Sequence, residues 1–117
     1  MFSTCIDTRI RACVISGYFC TFRDSVLAMH HCPCNYIPGL AQFGEMADLA
    51  GLVAPRPMLV MHGDDDESVP TSEARQIAQA HGSAELRILA GAGHRLRHDP
   101  RAVAILLGWL DRQQNAV

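Results

Sequence analysis

Lysine is absent from this chain. All ten cations among its 117 residues are arginines, and twelve carboxylates leave a net charge of −2. The lack of a basic excess excludes a surface built to attract nucleic acid or an acidic membrane. No apolar run approaches the roughly 20 residues that a membrane helix needs. Internal repeats and low-complexity tracts are lacking too. The opening Met1-Phe2-Ser3-Thr4-Cys5-Ile6-Asp7 has neither the basic start nor the long apolar core of a signal peptide. Cysteine is odd in number, at Cys5, Cys13, Cys20, Cys32 and Cys34. Without an export signal the expectation is reduced thiols in the cytoplasm.

What is present is the content of one globular domain, 49% hydrophobic. Ile10 to Ser16 reads as a buried strand closed by Gly17, because it is short, apolar and β-branched. Residues 17–42 are irregular, with Pro33, Pro38 and Gly39 preventing a long helix and Arg23 to His30 forming two helical turns at most. Glu45 to Leu52 reads as a short helix burying Met46, Leu49, Ala50 and Val53. Pro55-Arg56-Pro57 stops it, and Met58 to His62 is the next strand. Thr71 is the expected N-cap of a helix running to Ala80, with Glu73 in its first turn and His81-Gly82 ending it. Leu86 to Leu89 is the third strand. A last helix is capped by Asp99, starts at Pro100, and has Val103, Leu106, Leu107 and Leu110 as its expected buried stripe, widened by Ile105 and Trp109. Asp111 to Asn115 reads as a frayed tail. This alternation predicts the α/β class, a three-stranded parallel sheet with flanking helices.

The chemistry sits where two of these strands end. Val60-Met61-His62-Gly63 runs straight into Asp64-Asp65-Asp66, and the third strand runs into Gly91-Ala92-Gly93-His94. In open α/β sheets, functional residues gather at the carboxyl ends of the strands. Asp66 and His94 are therefore expected at one edge, the carboxylate fixing the tautomer of the imidazole and the imidazole acting as general base and acid.

His62-Gly63-x-x-Asp66-x-x-Val69-Pro70 with Gly91-x-Gly93-His94 resembles the C-terminal third of an α/β-hydrolase of the dienelactone hydrolase, acetyl xylan esterase and prolyl oligopeptidase type. Asp66 and His94 match the acid after strand seven and the histidine after strand eight. Asp64 and Asp65 match variable positions and are second choices. Asp7 to Ile10 and Val14 to Tyr18 resemble strand six. Cys20 to Tyr36 resembles a lid-side excursion. The resemblance implies a single partial α/β-hydrolase domain over 1–117: a strand at 10–16, a lid-like excursion with a short helix over 17–56, and the acid- and histidine-bearing unit over 57–117. It also implies a serine-type hydrolase acting on small carboxylic esters or related acyl bonds, with no cofactor and no metal.

One departure is decisive for activity. The family's Gly-x-Ser-x-Gly motif, which carries the nucleophile, does not occur in this sequence. Ser16 precedes a glycine but lacks the left flank, and it ends the wrong strand. Cys20 lacks flanking glycines and also follows the wrong strand. The nucleophile is thus expected from outside the chain, which is expected to be poorly active alone as a truncated or split product. The alternative is an inactive interaction module. It would pair through the sheet edge left where strand five belongs, with a second copy or with a separate N-terminal half.

His30-His31-Cys32-Pro33-Cys34 places four zinc-type ligands within five residues. Adjacent histidines and Cys-x-Cys suit one tetrahedral ion badly, and the segment reads as a packed lid loop with free thiols. Arg95, Arg97 and His98 read as a solvated turn, and His62 as a structural residue packed beneath the loop of Asp66.

Overall fold

A computed structural model describes residues 1–116. Its centre is a parallel sheet of three strands, β1 (Cys13–Ser16), β2 (Met58–Gly63) and β3 (Glu85–Leu89), in the order β1-β2-β3. Cys13 is level with Met58, and Leu59 with Glu85. Every residue of β2 is buried, as the middle strand of a sheet covered on both faces must be. β1 and β3 are the two edges.

The helices are α1 (Phe2–Ile6), α2 (Leu40–Phe43), α3 (Met46–Val53), α4 (Thr71–His81) and α5 (Pro100–Asn115). On one face of the sheet, Leu49, Ala50 and Val53 of α3 and Ala74 and Ile77 of α4 pack with Cys13, Ile15, Met58 and Val60. Phe2 and Cys5 of α1 lean on the same cluster. On the other face α5 works alone, with Ala102 and Trp109 closing over Leu59, Met61, Leu89 and Leu96.

Five expectations are corrected. The first strand starts at Cys13 rather than Ile10, because β2 begins only at Met58 and offers no partner before it. Residues 22–28 form consecutive turns, not a helix. Pro70, not Thr71, is the N-cap of α4, and it makes no side-chain cap. Glu73 of its first turn reaches across to accept the Thr21 amide at 3.0 Å. In α5 the buried residues are Ala102 and Trp109, with Ile105 and Leu106 half-buried, whereas Val103, Leu107 and Leu110 are exposed. Apolar residues surround much of this helix, and only the flank facing the sheet has something to pack on. The tail is helical to Asn115, helped by Arg112, which bonds Glu85 at 2.8 and 3.0 Å.

Candidate active site

Asp66 and His94 are brought together at the carboxyl end of the sheet. Asp66 follows β2 on a loop that turns back on itself: its Oδ1 accepts the amides of Ser68 and Val69, each at 2.9 Å. Its Oδ2 meets His94 Nδ1 at 2.9 Å. The carboxylate is 1% exposed, while the imidazole is 47% exposed. Burial pushes the Asp66 pKa up, but the bonds from His94, Val69 and Ser68 outweigh it and hold the group below the ordinary aspartate value. An ionised carboxylate only accepts, so the proton of neutral His94 lies on Nδ1 and the lone pair on Nε2. Among the described residues Nε2 has no hydrogen-bond partner. It is free to take a proton from a nucleophile.

The backbone makes this meeting possible. Gly63 ends β2 against the turn that carries His94. A Cβ there would collide with the Ala92 carbonyl and stand 2.7 Å from that of Gly93. Only glycine permits so close an approach. The two loops are then joined by three bonds: the Asp64 amide to the Leu89 carbonyl (3.1 Å), the Asp65 amide to the Ala92 carbonyl (3.0 Å), and the Gly91 amide to Asp64 Oδ1 (2.6 Å). Asp64 and Asp65 thus place the histidine turn and do not touch the imidazole. Gly17, with φ +60°, lies under His94, where a Cβ would come within 3.0 Å of its carbonyl oxygen. The sequence signal for Gly63 was a glycine at a strand tip. Gly17 read as a strand stop and Asp64 as a second-choice acid, and their contacts with the histidine turn had no local signal because those partners lie far along the chain.

The chain superposes on longer solved structures. TT1662 from Thermus thermophilus matches with TM-score 0.64 and 21% identity, over 95% of this chain and 48% of that one. Est1E from Butyrivibrio proteoclasticus matches with TM-score 0.67 and 18% identity, over 98% and 55%. The α/β hydrolase GrgF from Penicillium sp. sh18 matches with TM-score 0.61 and 17% identity, over 94% and 57%. The fold is part of an α/β-hydrolase fold. The chain spans about half the length of these structures. No protein-family model matches it, and no curated protein matches it in sequence.

Within that α/β-hydrolase fold the remaining sequence signals fall as follows. Ser16, the last residue of β1, is exposed and lines one concavity with His94, Arg95 and Arg97. Cys20 sits in the excursion. Burial, together with the negative charges of Glu73 and Asp24, raises its pKa and keeps it a thiol, a poor nucleophile. All five cysteines are free. His31 Nε2 is paired with Ser25 Oγ at 3.1 Å, while Cys32 and Cys34 are exposed. Among the described residues no group of three or more His, Cys, Asp or Glu side chains is arranged to hold a metal ion. No helix among them is long and apolar enough to cross a membrane.

Proposed function

We propose that this chain supplies the acid and the histidine of an acyl hydrolase that cleaves small carboxylic esters or related acyl bonds. The observation that carries the reading is the 2.9 Å contact between buried Asp66 Oδ2 and His94 Nδ1, which leaves Nε2 open. In this role Nε2 accepts the hydroxyl proton of a nucleophile as it attacks the acyl carbon. Asp66 stabilises the imidazolium, and Nε2 returns the proton to the departing alcohol. The nucleophile and the oxyanion donors come from residues outside this chain. The fold shared with the α/β hydrolase GrgF supports the reading.

The test starts with the coding sequence immediately upstream, where an in-frame Gly-x-Ser-x-Gly segment is expected. The extended protein should hydrolyse p-nitrophenyl acetate, and Asp66→Asn and His94→Ala should each lower turnover by about 10³-fold or more. A folded extended protein whose turnover ignores both substitutions overturns the proposal. The chain alone should stay at background. Turnover lost in both His94→Ala and Ser16→Ala would instead put the nucleophile at Ser16.

A second reading, an interaction module, is favoured by one specific observation. β1 is an edge strand, and beside it Val103 and Leu106 of α5 line an apolar groove with Val14 and Met61. Such an edge invites strand pairing with a second copy or with a separate N-terminal half. A well-behaved monomer in size-exclusion chromatography would count against the self-paired form.

A further inference from the structure

Asp66 lies between two histidines, and the proposed chemistry uses only one of them. His62, in β2, is 1% exposed. Its Nε2 lies 2.8 Å from the Val69 carbonyl oxygen, which only accepts, so Nε2 carries the proton. The same nitrogen stands 3.5 Å from Asp66 Oδ2, the oxygen that also meets His94. Val69 is therefore held at both ends: its carbonyl by His62, its amide by Asp66 Oδ1 at 2.9 Å. Among the described residues, His62 and His94 are the titratable side chains in contact with Asp66.

We infer that His62 is a positioning residue for the acid–histidine pair: its Nε2–H fixes Val69, and through Val69 the orientation of the Asp66 carboxylate towards His94. A residue that merely filled core volume would need no N–H there. Apolar side chains of similar size would serve, and Met58 to Met61 of the same strand are such side chains. In a buried site a partly satisfied polar network is worse than none, so the N–H has to be aimed to be tolerated. Loosening Val69 would free Oδ1 from one of its two amide donors and let Oδ2 drift from Nδ1. This inference rests on reading Asp66 and His94 as the working pair. Its readouts are proton positions rather than turnover, so a failure of hydrolysis would leave it testable.

The experiment is ¹H–¹⁵N NMR of the imidazoles in the whole chain. In His62→Leu, which keeps bulk and removes the donor, the His94 Nδ1 proton should exchange with solvent about tenfold faster, the factor carried by one hydrogen bond of ordinary net strength. In His62→Gln, whose amide nitrogen restores a donor near the position of Nε2, exchange should return to within about threefold of the unaltered chain. A folded His62→Leu with unchanged His94 exchange overturns the inference. So does a His62→Gln that behaves like His62→Leu. If His62→Leu does not fold, Asp66→Asn decides. The His62 Nε2–H resonance should move when the carboxylate becomes an amide, and an unmoved resonance overturns the inference.

Discussion

Two regions leave the same end of the sheet and end differently. The loops after β2 and β3 are short, and three hydrogen bonds join them, with Gly63 allowing their backbones to touch. Before α3 returns the chain to the core, the excursion after β1 is tied down by carboxylates near its start. There the carboxylate of Glu45 accepts the amides of Phe22 and Arg23 at 2.7 and 3.2 Å, and Glu73 accepts that of Thr21. Beyond that anchor Leu27, Met29, Tyr36, Ile37 and Phe43 are exposed. The difference teaches where precision is held. The acid–histidine contact is built by backbone closeness that tolerates no added atom, whereas the excursion is a surface on a few carboxylate pegs.

The contrast breaks or sharpens under substitution. Gly63→Ala should cost most, roughly 3–5 kcal/mol in a denaturant titration, because backbone rather than a flexible side chain must move. It should also abolish the Asp66–His94 contact. Phe22→Ala, at the anchored and buried start of the excursion, should cost about 3–4 kcal/mol. Equal tolerance at Gly63 and at the excursion's tip would break the comparison.

Asp66→Asn should cost about 1–2 kcal/mol at neutral pH and should flatten the acid limb. The folded pKa of Asp66 lies below its unfolded value of about 3.9. Its contribution is therefore full above that unfolded value and is lost as pH falls through the folded one. The variant should lose stability less steeply than the unaltered chain below about pH 4, as followed by circular dichroism. Asp64→Ala, which removes the acceptor of the Gly91 amide on an exposed loop, should cost about 1 kcal/mol. Phe43→Ala, on a side chain 76% exposed, should cost no more than about 0.5 kcal/mol.

The same contrast explains what was legible. β2, α4, β3 and the capped start of α5 followed from apolar runs, Pro100 and Gly82, whose causes are local. Asp66 and His94 were legible because each follows a strand by a few residues, so the parallel sheet carries both to one edge. The buried flank of α5 was not. Periodicity shows that Val103, Leu107 and Leu110 share a side, and Trp109 was rightly read as core, but only the sheet decides that Ala102 faces inward and that those three do not. The anchors of the excursion were hidden for the same reason. Glu73 reads as an ordinary first-turn acid, and nothing near it in sequence announces Thr21, 52 residues away. α1 is five residues long and too short to show a period. Gly17 shows as a strand stop, and its contact with His94 is visible only once the chain is folded.

The most direct test of the central claim is the tautomer of neutral His94, read from its two ring ¹⁵N shifts in the intact chain and in Asp66→Asn. A carboxylate that holds Nδ1–H predicts the Nδ1–H tautomer in the intact chain and a switch towards Nε2–H once Asp66 carries an amide. An Nε2–H tautomer in the intact chain, or one indifferent to Asp66→Asn, would contradict the account.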